Sequence, residues 1–204
     1  MQDSSEHPAS PLESKISAST DNANAEIKTH NKVRVWDLGV RIFHWSLAFG
    51  FLSNFFLTEE GSDIHEYLGY TLVALIAWRI LWGLIGPNPY ARFANFVPSP
   101  KGLLAYLKAA QAGQPPRYLS HNPAGAVMML TLMALIVALG VSGWMMTEID
   151  ALWGEDWIEE VHEFLANAVM LLVPLHILGA VIESRRHREN LVFSMIQGDK
   201  RAQD

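Results

Sequence analysis

The sequence predicts an all-α membrane protein, an antiparallel four-helix transmembrane bundle. Three observations predict it: long apolar runs, connections of opposite charge sign, and histidines near the ends of the runs. A helix rises about 1.5 Å per residue, so roughly 20 apolar residues cross the ~30 Å apolar core of a bilayer. Four runs approach this length: Leu38–Leu57, 65–86, 124–146 and 161–182. A soluble bundle would need a polar face on every helix, whereas residues 124–146 contain no charged side chain.

The connections between the runs differ in the sign of their charge. Residues 58–64 and 147–160 carry only acids: Glu59, Glu60, Asp63, Glu148, Asp150, Glu155, Asp156, Glu159 and Glu160. Residues 87–123 carry only bases, and the C-terminal tail adds more: Arg92, Lys101, Lys108, Arg117, Arg185, Arg186, Arg188, Lys200 and Arg201. Because basic connections stay in the cytoplasm, both termini are predicted to be cytoplasmic. The net charge of −6 conceals this separation.

Residues 1–32 differ in composition from the rest of the chain. They are polar, rich in Ser, Asn and Ala, and nearly free of large apolar side chains, so they cannot bury enough surface to fold. They also lack the basic start and apolar segment of a cleaved signal peptide. We expect a disordered cytoplasmic tail over 1–32 and a folded four-helix domain over 33–201.

Four histidines lie near the ends of the apolar runs: His44, His65, His162 and His176. On one helix, the fourteen residues from His162 to His176 rise ~21 Å and return to within ~40° of the same face. In an antiparallel bundle His44 then matches the depth of His176 near the inner side, and His65 matches His162 near the outer side. A lone histidine in a span can instead bond a neighbouring helix. The matched depths favour two bis-histidine metal sites stacked across the membrane.

The chain has no cysteine, which excludes disulfides, iron–sulfur clusters, thiolate-ligated metals and covalently attached haem. Carboxylates are absent from the interiors of the runs, apart from Glu66 and Glu163 at their outer ends. Two imidazoles in an apolar pocket suit haem iron. Two such sites would form a path for electrons across the membrane.

Two arginines are candidates for binding a haem propionate. Arg79 lies about seven residues from the inner end of the second run, where an unpaired charge costs ~2.5 kcal/mol or more. Its alternative is snorkelling to the interface. Arg41 lies one turn before His44, and its alternative is interfacial anchoring.

Several small residues lie within the apolar runs, and Pro174 and residues 101–112 also have expected structural roles. Gly69 and Ala166, one turn after His65 and His162, would leave room for a haem ring. Four further glycines serve either the same purpose or close helix packing: Gly50, Gly140, Gly143 and Gly179. Pro174 is expected to kink the fourth helix, and residues 101–112 to form an amphipathic surface helix. The remaining histidines, among them His121 and His187, are expected at the surface.

Three segments carry a resemblance to a known family: VRVWDLGVRIFHW, HEYLGYTLVALIAWRILWG and VHEFLANAVMLLVPLHILGAV followed by SRRHRENLVFSMIQGDKR. They resemble the bacterial cytochrome b561 family, and most of all its branch with the b-type cytochrome subunits of nickel–iron hydrogenases. The resemblance covers residues 33–201. It implies a four-helix bundle with two haems b in the bacterial cytoplasmic (inner) membrane, exchanging electrons with quinone. The family's ligand pattern falls on His44, His65, His162 and His176.

The sequence therefore predicts an integral membrane di-haem b-type cytochrome that transfers electrons between the quinone pool and a partner redox protein. The expected partners are membrane lipid, quinone, and a periplasmic c-type cytochrome or a hydrogenase-like protein; nucleic acid is not expected. The alternative is a self-contained quinone reductase that uses a small diffusible reductant. A transporter or scaffold would require the histidine pattern to be accidental.

Overall fold

The computed structural model describes residues 32–202. The tail predicted over 1–32 lies outside these residues, except at Lys32, which begins the first strand. The helices are α1 Leu38–Leu57, α2 Asp63–Ile85, α3 Phe93–Phe96, α4 Pro100–Gln111, α5 Pro123–Glu148, α6 Asp156–Arg186 and α7 Leu191–Gln197, with a 3-10 turn at Asp150–Leu152. Strands β1 Lys32–Arg34 and β2 Asp199–Arg201 form a two-stranded sheet.

Four of the described helices, α1, α2, α5 and α6, are long and apolar enough to cross a membrane. They confirm the predicted all-α, multi-pass membrane fold. Helix α6 begins five residues before the predicted run and ends four after it. Acids in its first turn and bases in its last turn favour these longer bounds, because they oppose the partial charges of the helix dipole. Pro174 lies inside α6, and the helix continues through it.

Polar residues that accept a backbone N–H start most of the helices. Asp37, Ser62, Ser99, Asn122 and Asn190 cap α1, α2, α4, α5 and α7 in this way. Each satisfies a donor that the first helical turn leaves without a partner. Helix α4, at Pro100–Gln111, corresponds to the amphipathic helix predicted over 101–112.

The bundle core lies midway along the four long helices. Helix α5 packs along α6 and α2, and α1 packs along α2. The buried residues are Phe43, Phe51, Leu72, Ile76, Met133, Ile136 and Val169. Two of the glycines left open above serve close packing: a Cβ on Gly50 would meet Leu72 at 2.9 Å, and one on Gly140 would overlap Val73.

The two ends of the bundle differ. We call residues 58–64 and 147–160 the acidic end, and residues 34–37, 86–122 and 187–200 the basic end. At the basic end the Gly198 carbonyl accepts hydrogen bonds from Val35 N (3.0 Å) and Trp36 N (2.9 Å). Gly198 has φ 95°, a left-handed backbone that suits glycine. These bonds hold the segment after α7 against the start of α1.

Candidate metal centres

The structure brings the four predicted histidines together in two pairs, one toward each end of the bundle. The ring centroids of His44 and His176 lie 6.4 Å apart with their planes tilted by 46°. Those of His65 and His162 lie 6.1 Å apart with a tilt of 57°. These are the pairs predicted from depth along the spans. Each joins two helices that are distant in sequence: α1 with α6, and α2 with α6.

The spacing of both pairs fits a metal ion between the rings. With a metal–nitrogen bond of about 2.0–2.1 Å and each centroid about 1.1 Å behind its nitrogen, two opposed imidazoles have centroids ~6 Å apart. A direct N–H···N hydrogen bond of about 2.9 Å would bring the centroids to ~5 Å. Both observed distances agree with the first geometry. They are too long for a direct hydrogen bond between the two rings of a pair, and ligation of a metal by these histidines stays a prediction.

The number of ligands favours a haem over a bare metal ion. Among residues 32–202, no three His, Asp or Glu side chains converge on a common point. A metal held at either pair would therefore gain two protein ligands. The porphyrin of a haem would supply the remaining ligands. Gly69, one turn after His65, is half-buried and would meet no atom within 4 Å if it carried a Cβ, so there is space beside the pair.

Both histidines nearer the acidic end are held through their Nδ1 atoms. The Nδ1 atom of His65 lies 3.1 Å from the Thr58 hydroxyl, and that of His162 lies 2.9 Å from the Ser142 hydroxyl. Thr58 immediately follows α1, and Ser142 is a buried residue of α5. A Cβ on Gly143 would lie 3.2 Å from Cε1 of His162. The absence of that carbon lets the ring lie close to α5.

The pair nearer the basic end has a different environment. The Nδ1 atom of His44 is buried and has no hydrogen-bond partner among the described residues. The ring of His44 packs edge-on against Trp45, with centroids 5.2 Å apart. The two pairs therefore share their spacing but differ in the polar groups around them.

Arg79 is among the most deeply buried side chains of the described chain, at 1 % exposure. One terminal nitrogen donates to the Ala91 carbonyl at 3.1 Å, and the guanidinium carbon lies 4.7 Å from the centre of the Phe93 ring. The other terminal nitrogen is buried without a partner among the described residues. The head group is thus enclosed by protein and bonds to the connection that follows α2. A buried guanidinium with a free donor fits an anion, and its pairing with a haem propionate stays a prediction.

Arg41 contacts the C-terminal part of α7. A terminal nitrogen donates to the Ile196 carbonyl, and Nε is buried without a partner among the described residues. Nearby, the Trp45 indole donates to the Met195 carbonyl at 3.4 Å. Arg41 and Trp45 therefore fix the end of α7 beneath α1, and a role of Arg41 toward a haem stays a prediction.

His121 was expected at the surface, but it is half-buried. Its ring lies between Trp36 and Phe96, with centroids 4.9 and 4.7 Å away. Burial, together with the positive charges of Lys200 and Arg79, lowers the pKa of His121 to about 3, so the ring is neutral. His187 is half-buried and lies 3.2 Å from the Glu183 carboxylate. Phe96 and Trp36, which cover His121, lie 25 and 85 residues away in sequence, so no local sequence pattern predicts these contacts.

Lys200 is a second residue that the sequence did not single out. Its side chain is 5 % exposed, and its ammonium lies 3.4 Å from the Ser120 carbonyl and 5.1 Å from the centre of the Trp36 ring. Burial lowers the pKa of Lys200 to about 8, and Arg117 adds to the effect against the opposing Glu189. Buried cations thus gather at the basic end. The nine acids of residues 58–64 and 147–160 are all exposed.

The chain is similar in sequence to the members of one known protein family. The model of the family described as prokaryotic cytochrome b561 matches residues 35–198. A protein of Bradyrhizobium diazoefficiens named "Probable Ni/Fe-hydrogenase B-type cytochrome subunit" is 26% identical over 216 residues, covering 84% of this chain and 87% of the relative. A protein of the same name from Rhizobium leguminosarum bv. viciae is 26% identical over 216 residues, covering 84% and 90%. No solved structure matches the chain significantly.

Proposed function

The chain belongs to the prokaryotic cytochrome b561 family, and from this membership we propose that it is a di-haem cytochrome linking the quinone pool to a redox partner. Membership makes it a membrane b-type cytochrome of electron transfer. The observation that supports two haems is the presence of two histidine pairs, each with the centroid spacing of opposed metal ligands. The pairs lie toward opposite ends of the bundle, so electrons can cross most of the membrane within one chain.

In this proposal His44 and His176 hold one haem toward the basic end, and His65 and His162 hold the other toward the acidic end. Each haem supplies an iron that cycles between its ferric and ferrous states. The protein would supply the imidazole ligands and the apolar surroundings that exclude water, and these would set the potentials. On α6 the two ligands are separated by ~21 Å along the helix.

The distribution of charge supports one orientation in the bacterial cytoplasmic membrane. Basic connections remain on the side of synthesis, so the basic end, with both termini, faces the cytoplasm. The acidic end then faces the periplasm. The haem at His65 and His162 exchanges electrons with a periplasmic redox partner, and the haem at His44 and His176 exchanges them with quinone.

The negative charge of the acidic end favours a redox partner with a basic docking face, either a hydrogenase-like protein or a c-type cytochrome. The relatives named above are B-type cytochrome subunits of Ni/Fe-hydrogenases, which supports the first kind. Exposed charges of one sign raise encounter rates with a partner of the other sign. Trp153, 81 % exposed in the acidic end, provides an apolar contact of the type enriched at interfaces.

Electron transfer to such a partner is expected to slow steeply as salt rises, because exposed charges are screened over ~8 Å at physiological ionic strength. Replacing Glu155, Asp156, Glu159 and Glu160 with their amides should flatten that dependence. The measurement is the stopped-flow rate of partner reduction or oxidation against ionic strength. Conversion of Lys101 and Lys108 at the opposite end to Gln is the control. A rate indifferent both to salt and to the amide substitutions would leave the acids with a role in topology alone.

An optical spectrum of the purified protein tests the proposed function directly. We expect a reduced-minus-oxidised difference spectrum of haem b and two haems per chain by pyridine haemochrome assay. Added quinol should reduce the cytochrome in the absence of any partner. A protein that binds no haem after expression with excess haem supply would refute the proposal.

A further inference from the structure

Both histidines near the acidic end face a hydroxyl oxygen whose own hydrogen is already used. Thr58 Oγ1 donates to the Asn54 carbonyl at 2.6 Å, and Ser142 Oγ donates to the Leu139 carbonyl at 2.9 Å. A hydroxyl has one hydrogen and two acceptor lone pairs. Toward His65 and His162, each oxygen is therefore an acceptor.

The direction of these hydrogen bonds fixes the state of the rings. If the hydroxyl accepts, the imidazole must donate, so the ring hydrogen lies on Nδ1 in both His65 and His162. The lone pair is then on Nε2, the atom left to bind a metal. The backbone carbonyls of Asn54 and Leu139 end each chain of hydrogen bonds. Both ligands are prepared in the same tautomer by groups that cannot change their own protonation.

We infer that Thr58 and Ser142 are positioning residues that orient His65 and His162 and make these imidazoles stronger electron donors to the haem iron near the acidic end. A ring that donates from Nδ1 gains negative character at Nε2, and partners of this kind raise the basicity of metal-bound histidine. A stronger donor stabilises ferric iron, which carries more positive charge than ferrous iron. The two hydroxyls therefore lower the potential of this haem. This inference rests on the proposed di-haem function.

The effect is confined to one end of the bundle. His44, in the other pair, has its Nδ1 buried without an acceptor among the described residues, so its ring receives no equivalent support. Neither hydroxyl comes from the helix that bears its ligand. Thr58 follows α1 and supports a ligand of α2, and Ser142 of α5 supports a ligand of α6. A slip of either helix pair would break the bond and turn the ring.

The test compares side chains of nearly equal shape with and without the hydroxyl. Thr58→Val removes the acceptor, and Thr58→Ser retains it. Ser142→Ala removes the second acceptor. Thr131→Val is the matched control, because Thr131 lies exposed on α5, eleven residues before Ser142. Potentials of both haems are measured by redox titration of the purified full chain, and the haem near the acidic end is identified as the one lost in His65→Ala.

We expect Thr58→Val and Ser142→Ala to raise the potential of the haem near the acidic end and to leave the other haem unchanged. Loss of such a support typically costs about 10–100-fold in metal affinity, so haem at this end should also dissociate faster. The EPR signal of its ferric state should move, since that signal responds to the angle between the two ring planes. Thr58→Ser should restore wild-type values in all three measurements.

Several outcomes separate the inference from the proposed function. Two haems in the wild type with no shift in Thr58→Val or Ser142→Ala would overturn the inference alone. Equal shifts in both haems, or shifts of the same size in Thr131→Val, would overturn it as well. Loss of the haem near the acidic end in both hydroxyl-free variants, with retention in Thr58→Ser, would support it. A wild type without haem would overturn the proposed function.

Discussion

Replacing His162 with alanine is expected to lower haem content from two per chain toward one. Without cysteine the chain cannot attach haem covalently, so the two axial bonds supply much of the binding. His65→Ala should remove the same haem, and His44→Ala or His176→Ala should remove the other. Each loss also leaves a cavity in the bundle, which lowers the amount of protein that accumulates.

Haem per chain, measured by pyridine haemochrome assay against protein mass, checks this expectation. His187→Gln is the matched control, because His187 lies beyond both pairs and contacts Glu183. Double variants give a second check: His65→Ala with His162→Ala should retain one haem, whereas His65→Ala with His44→Ala should retain none. A single variant that keeps two haems would refute the assignment for that histidine.

Arg79→Leu is expected to lower the potential of the haem between His44 and His176. Removing a nearby cation favours the oxidised, more positive state of the iron. If the guanidinium lies within about 10 Å of the iron, at an effective dielectric of about 20 its unit charge would contribute on the order of 2 kcal/mol, or roughly 80 mV for a one-electron couple. The haem between His65 and His162 should barely move.

The matched variant is Arg79→Lys, which keeps the charge and should retain most of the potential. Lys101→Gln removes an exposed charge from the same end of the bundle, where water screens it, and should have little effect. A redox titration resolves both haems. A shift confined to the haem near the acidic end, or no shift at all, would remove Arg79 from the propionate role.

The parts of the fold that local sequence determines were predictable. Helix bounds follow from apolar length and from caps such as Asp37 and Asn122. The histidine pairs follow from depth, since alternating helices place His44 beside His176 without knowledge of the packing. The residues that contact the histidines and the buried cations could not be predicted from the sequence. Ser142 meets His162 across 20 residues of sequence, and Lys200 meets Ser120 across 80. Only the packing of the helices creates these contacts.

The roles of the glycines also depend on helix packing that the sequence does not specify. Sequence left open whether Gly50, Gly140 and Gly143 make room for a ring or for a neighbouring helix. The structure separates them: Gly50 and Gly140 face Leu72 and Val73, and Gly143 faces His162. Each glycine is the smallest residue available, and the neighbour that requires it lies on another helix. That neighbour is fixed by the rotation of the helices about their axes, which apolar composition does not specify.

The bonds from Val35 and Trp36 to the Gly198 carbonyl have a consequence for biogenesis. Residues at the start of the first span find their backbone acceptor only when residue 198 has left the ribosome and folded back. These bonds at the start of α1 therefore form only after residue 198 has been synthesised, twelve residues beyond the end of α6, whereas His65 and His162 can meet once α6 itself is complete. The order of synthesis thus sets an order of assembly. The start of the first span is made early, but it is among the last segments to be fixed in place.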